Sequence, residues 1–184
     1  MSTHAGRLRA LACSAALTML LAAGAAISPA AAVASPCRGA ATAPGSAARA
    51  ARAAVACQIN RQRRAHGLAP VSAEPRLSRM AGRYARAMVR LRFFSHTAPG
   101  GLTLSDRLRA ARFGARAAGE ALAWGQGTRA TPIAIVRAWM HSPPHRAVLL
   151  GRSYRHIGIG VAAGSPYGRS LRRTATYAAD LAAG

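Results

Sequence analysis

Between positions 77 and 91 the apolar residues Leu77, Met80, Ala81, Tyr84, Met88 and Leu91 recur at helical spacing, with Arg76, Arg79, Arg83, Arg86 and Arg90 between them. That period predicts an amphipathic helix with its arginines toward solvent and its methionine and tyrosine stripe in the core. Pro75 suits the first turn, and Glu74, pushed out of the helical region by the proline that follows, is placed at the positive helix pole. An earlier helix is read from Val55 and Ile59, with Arg52, Arg61, Arg63 and Arg64 on other faces and Gly67 as its stop. Thr103 to Asp106 has the form of a capping box ahead of Leu104 and Leu108. Thr131 before Pro132 starts a helix through Ile133, Val136, Trp139 and Met140, and Ser142 before Pro143 starts a short turn that leads to Val148 and Leu149.

The period changes in the last third. Ile157, Ile159 and Val161 alternate with Gly158 and Gly160, which predicts a strand with one bare face, open to the close approach of another backbone or a ligand. A loop containing Gly164, Pro166 and Gly168 leads to a partner strand expected over residues 171–177. Asp180 then falls near an exposed terminus, where a solvated carboxylate needs no special role. Helices first and strands afterwards indicate an α+β domain.

The N-terminus has a different identity. Arg7 and Arg9 precede an apolar run over residues 10–27, which Ser28 and Pro29 break before a stretch of small residues. This is the form of a secretory signal peptide, with cleavage favoured after Ala34 and Ala32 as the other small-x-small site; an uncleaved membrane anchor is the alternative. The chain divides into a signal peptide (residues 1–34), a Pro/Gly/Ala-rich leader (35–46) and a folded domain (47–184). Cys13 leaves with the signal. Cys37 and Cys57 remain as an even pair in an oxidising compartment, so a disulfide is expected, closing a loop of about 20 residues and worth about 3 kcal/mol in the chain-entropy picture.

Composition sharpens the exclusions. The 184 residues carry 26 basic side chains, every one an arginine, against four acids, Glu74, Asp106, Glu120 and Asp180, for a net charge of +22. Drift toward GC-rich codons accounts for this as well as selection for an anionic partner does. At 51% hydrophobic the chain is too apolar for a disordered basic tail. Aromatics at 5% are few for stacking on unpaired bases, and no helix-turn-helix, zinc-finger or RNA-binding signature occurs, which sets specific nucleic acid aside.

Candidate chemistry is what local structure leaves over. Glu120 lies in an apolar stretch with no capping geometry to explain it, and a carboxylate there needs a partner. His66, next to Gly67, reads as a helix-end residue, whereas His96 follows Phe93, Phe94 and Ser95 at a helix end where an imidazole can point into a cleft. His141 and His145 have the spacing of a zinc-binding helix, but Pro143 and Pro144 forbid a continuous helix and no glutamate follows His141. No Gly-x-Ser-x-Gly elbow and no dinucleotide fingerprint occur, so serine catalysis and a nucleotide cofactor are not expected.

These residues carry a resemblance. Asn60, Arg61, Arg64, Gly67 and Leu68, then Pro75 and Leu77, Phe94-Ser95-His96, Gly119-Glu120, Trp139 to Arg146, and Ile157 to Gly160 are similar in order to the bacterial branch of the CAP superfamily. This superfamily holds the cysteine-rich secretory, antigen 5 and pathogenesis-related 1 proteins, or SCP domains, and the similarity covers residues 51–180. It implies a three-layer α-β-α sandwich, secretion, and a cleft where histidines and glutamates meet and hold a divalent cation in some members. His96 and Glu120 match the cleft histidine and glutamate, and His145 matches the histidine of the bacterial Ser-Pro-Gly-His-Arg motif. Ser142 stands where a second glutamate is expected, Pro144 replaces a glycine, Ala121 an asparagine, and His141 occupies a common asparagine position where it could add a ligand.

A three-ligand site of His96, Glu120 and His145 would suit Zn²⁺ with an open position. The resulting expectation is a secreted, monomeric binding module, outside the cell or associated with its envelope. Its cleft takes a divalent metal or small ligand, and its arginine surface holds anionic envelope polymers or lipid headgroups. The alternatives are a metal-dependent hydrolase or peptidase, using metal-bound water with Glu120 as base, and a partner-binding protein with a vestigial cleft.

Overall fold

The computed structural model describes residues 37–43, 48–168 and 173–184. The expected signal peptide lies outside the described residues. Five helices and four strands follow in the order α1 (Ala48–Ala65), β1 (Ser72–Ala73), α2 (Pro75–Arg90), α3 (Leu104–Ala110), β2 (Ala117–Gln126), α4 (Pro132–His141), α5 (Pro143–Leu149), β3 (His156–Ala163) and β4 (Thr174–Ala183). The strands form one sheet in the order β1-β3-β4-β2, antiparallel except for the short parallel pairing of β1 with β3. Helices cover both faces, which gives an α+β sandwich of three layers.

Alternation along the strands sends side chains into two cores. On one face Ile157, Ile159 and Val161 of β3 and Tyr177, Ala179 and Leu181 of β4 pack on Val55 and Ile59 of α1 and on Ile135, Val136 and Trp139 of α4. Trp139 fits in a fully apolar setting because its indole N–H donates to the Leu122 carbonyl at 2.9 Å. On the other face the predicted stripe of α2 is buried from Leu77 to Met88, Ala81, Tyr84 and Met88 against Leu122, Ala162 and Ala178, and Leu77 and Met80 beside Ala182. Leu91, expected in the same stripe, instead lies past the helix end at its C-cap and is 51% exposed. Each fully buried side chain of this size contributes on the order of 1.5–3 kcal/mol.

Gly158 and Gly160 perform the task their spacing predicted. A β-carbon at either would fall well inside van der Waals contact with the α2 backbone, at Leu77 and at Ala81 respectively. The bare face of β3 is where α2 lies down. The helix starts also form as expected: Glu74 caps α2 by accepting from the Leu77 N–H at 2.7 Å, and Thr103 with Asp106 completes the capping box of α3. Cys37 and Cys57 are joined in a disulfide that ties the leader to α1.

Three further expectations are corrected. The last strand does not stop at Tyr177 but runs to Ala183, buried throughout. Asp180 is therefore not at a solvated terminus; it is 1% exposed in mid-strand. Arg63, placed with the outer faces of α1, is also 1% exposed, and its guanidinium donates to the carbonyls of Ala69, Leu149 and Gly151. A buried arginine persists there because backbone carbonyls replace its water. Strand β2 carries no β-branched residue, and no strand period marks it in the sequence; pairing with β4 along all ten residues, not local propensity, makes it one.

Candidate functional site

The site is built around Glu120. Residues 120, 122 and 124 of β2 face the α2 layer, and register sets Glu120 directly across from Asp180 of β4. Above this pair, α3 supplies Arg107, and the loop after α2 brings in His96. The His96 Nδ1–H donates to Glu120 Oε1 at 2.8 Å, and Arg107 donates to Glu120 Oε2 at 2.5 Å. Both oxygens of a carboxylate whose side chain is only 2% exposed are thus engaged.

Arg107 is itself held from three sides. Its guanidinium stacks over the Tyr84 ring, 3.5 Å from the centroid, and donates to the His96 carbonyl at 3.0 Å. The Tyr84 hydroxyl donates to the Ser95 carbonyl at 2.7 Å, which pins the loop carrying His96. Burial pushes the Tyr84 phenol up to about 12, against the opposing pull of Arg107, so it stays a donor at any physiological pH.

Asp180 has no hydrogen-bond partner of ordinary geometry among the described residues for either oxygen. Burial first, and then the neighbouring charge of Glu120, raise its pKa well above the usual carboxylate range. Both causes favour the neutral acid at Asp180, as expected when two carboxyl groups share a desolvated site with one arginine.

His145, near the start of α5, shares a hydrogen bond between its Nδ1 and Ser142 Oγ at 2.9 Å. Its pKa is lowered by burial and then by the positive charge of His96, so the two rings are within electrostatic reach of each other. Each imidazole is thus oriented through Nδ1, His96 by a carboxylate and His145 by a hydroxyl, and both are recruited to the same region. His96 is the exposed member, with its side chain 61% accessible, and Glu120 lies beneath it.

His141 and His156 lie elsewhere. His141, at the exposed end of α4, lines a separate groove with Gln58 of α1 and His66, just past the end of that helix. His156 packs its ring edge-on against Phe113 at 5.9 Å. Among the described residues no group of three or more His, Cys, Asp or Glu side chains is placed to hold a metal ion. The donor chemistry agrees: Glu120 is saturated by an imidazole and a guanidinium, and the cation of Arg107 already occupies the charge position that a divalent ion would need. These residues do not fit a protein cage in which Glu120 ligates.

Arg107, Tyr84 and Asp180 are the site residues that the sequence did not identify. For Asp180 a signal was present, an acid inside an apolar run, the same signal that singled out Glu120. Arg107 had none, being one of many arginines.

The comparisons with known proteins agree with this architecture. The family model described as "Cysteine-rich secretory protein family" (CAP) matches residues 58–177. The uncharacterized protein YkwD of Bacillus subtilis is 33% identical over 101 residues, covering 55% of this chain and 38% of that protein. The uncharacterized membrane protein YlbC of the same organism is 31% identical over 96 residues, covering 52% and 27%. This chain therefore spans well under half the length of either relative. Among solved structures, an extracellular protein containing a SCP domain from Bacillus anthracis superposes with a TM-score of 0.65 at 23% identity, over 74% of this chain and 41% of that one. An outer surface protein of Borrelia burgdorferi superposes with a TM-score of 0.59 at 21% identity, over 70% and 89%.

Proposed function

Because this chain belongs to the cysteine-rich secretory protein (CAP) family, we propose that it is an extracellular binding module whose cleft receives a small ligand at His96 and His145. In this reading its arginine surface retains it on anionic components of the cell envelope. Export is supported by the basic, apolar and small-residue order of residues 1–34 and by the disulfide, which forms in oxidising compartments. Among the described residues no helix is long and apolar enough to cross a membrane. Two of the similar structures are of proteins described as extracellular or outer-surface.

The observation that carries binding ahead of hydrolysis is the state of the carboxyl groups. A hydrolytic water needs a base, and Glu120 is committed on both oxygens to His96 and Arg107. Asp180 is buried, with its pKa raised well above the usual carboxylate range, while Glu74 and Asp106 cap helices. What remains open to the cleft is imidazole. His96, with Nδ1–H given to the carboxylate, presents Nε2, and His145 is restrained in the same way by Ser142. An anionic ligand would favour the imidazolium form of both rings, so that each Nε2–H could donate one charge-assisted hydrogen bond to it.

Titration with inorganic phosphate, followed by the histidine ring resonances, tests this reading. The expected result is that His96 and His145 shift together while His66 and His141 do not, and that His96→Ala abolishes the response of His145. Turnover of a peptide library that disappears in Glu120→Gln would overturn it in favour of the hydrolase.

A further inference from the structure

One charged feature is not used by the cleft. Beyond its pairing with β1 at His156 and Ile157, β3 has no described strand on its outer side, and the sheet ends there between α1 and α2. A groove of about 830 Å³ occupies this edge. Its floor includes Ala48, Ala87, Val89 and Val161, and its rim is Arg52 from α1 with Arg83, Arg86 and Arg90 from α2. A smaller cavity continues it along the helix, sharing Arg52, Arg83 and Arg86 and adding Arg79.

No Asp or Glu side chain of the sequence is available to neutralise this rim. The sequence has four carboxylate side chains, and all are assigned elsewhere: Glu74 to the α2 cap and Arg76, Asp106 to the α3 cap and Arg109, Glu120 to His96 and Arg107, and Asp180 to the buried pair. Arg79, Arg83, Arg86 and Arg90 follow one another at intervals of four, three and four residues. That is one stripe of cations, one per helical turn, about 16 Å long. Like charges at this spacing repel by a few tenths of a kcal/mol per pair. The negative charge that relieves this must come from another molecule.

We propose that this groove binds a linear phosphodiester polymer lying along α2, with successive phosphates on successive arginines. The inference deepens the envelope-retention part of the proposed function and rests on it. Three features choose this occupant. A straight row with a charge at each turn matches a chain with one anion per repeat, whereas a lipid supplies a single phosphate. Guanidinium forks engage phosphate oxygens in pairs. The floor of alanine and valine gives the carbon backbone between phosphates an apolar surface, which a purely electrostatic patch would not need.

Binding of labelled poly(glycerol phosphate) is to be measured as a function of salt for the wild-type protein, for Arg83→Gln/Arg86→Gln, and for Arg116→Gln/Arg137→Gln as an equally charge-depleted control. The groove variant should bind about tenfold more weakly, and its slope of log K against log salt should fall by about two. The control should lose less than about threefold in affinity, and equal melting temperatures exclude misfolding. Arg83→Lys/Arg86→Lys should keep the salt slope but not the full affinity, since the charge stays and the fork is lost. Equal weakening of both glutamine variants would overturn the groove while leaving diffuse retention intact. Groove-dependent binding to phosphatidylglycerol vesicles but not to the polymer would assign the site to lipid and also overturn the proposal. No binding of the wild type to either would remove the retention reading with it.

Discussion

Glu120 and Asp180 face each other across β2 and β4, two carboxyl groups in direct register and both buried. One arginine, Arg107, serves both, and its hydrogen bond goes to Glu120. The asymmetry decides the protonation pattern. Glu120 is the member bound by both Arg107 and His96, while Asp180 is driven toward its neutral form by burial and by the charge opposite.

The consequence for stability has a definite sign. The folded pKa of Asp180 is raised above its unfolded value, so the folded state binds the extra proton between the two values. Its contribution is fully present below the unfolded value near 3.8 and is lost as pH rises through the folded one. Glu74 and Asp106 act oppositely: their folded values are lowered, and what they contribute is lost as pH falls. Comparison with Asp180→Asn isolates the first effect. We expect the variant to be more stable than wild type by about 1–3 kcal/mol near neutral pH, with the difference vanishing toward pH 4. Urea unfolding at a series of pH values measures it, and a wild type that gains on the variant as pH rises would contradict the assignment.

The contact of β3 with α2 gives a second prediction. Gly160→Ala puts a methyl group against the carbonyl of Ala81, a rigid helical backbone and not a side chain that can turn away. We expect a loss of about 3 kcal/mol, at the upper end for overpacking, because the helix must lift from the sheet. At Gly114 a β-carbon would meet no atom within 4 Å, so Gly114→Ala should change stability by less than about 0.5 kcal/mol. Paired thermal melts of the two variants provide the check.

How far the sequence could be read depended on whether a residue's fate was local. The stripe of α2, the caps at Glu74 and Thr103, and the glycine face of β3 are written in periods and short spacings, and each formed. Glu120 stood out because an acid in an apolar stretch is locally anomalous. Asp180 carried the same anomaly but lay close to the chain end, and position suggested solvent where strand pairing imposed burial. Strand β2 lacks β-branched residues and has Trp124 as its one aromatic, so only its partner β4 reveals it. Arg63 and Arg107 could not be told from their fellow arginines, because what buries them is supplied by residues distant in sequence, the carbonyl of Leu149 for one and Glu120 for the other.

Arg107 is the residue on which the site should depend most. It neutralises Glu120, covers the Tyr84 ring and holds the backbone of His96, so three elements meet at one guanidinium whose side chain is 10% exposed. Arg107→Met preserves much of the volume but leaves Glu120 buried and facing Asp180 without a cation. The expected loss is about 3–5 kcal/mol, the range for breaking one partner from a buried pair. Arg107→Met/Glu120→Gln removes the stranded charge and should recover a substantial part of that loss, which separates electrostatics from packing. Arg107→Lys keeps the charge but gives up the planar stack on Tyr84 and the fork, and should fall between the two. Chemical denaturation of the four proteins, wild type included, tests the ordering. If the double variant proves no more stable than Arg107→Met, the guanidinium matters through its packing on Tyr84 and not through its charge on Glu120.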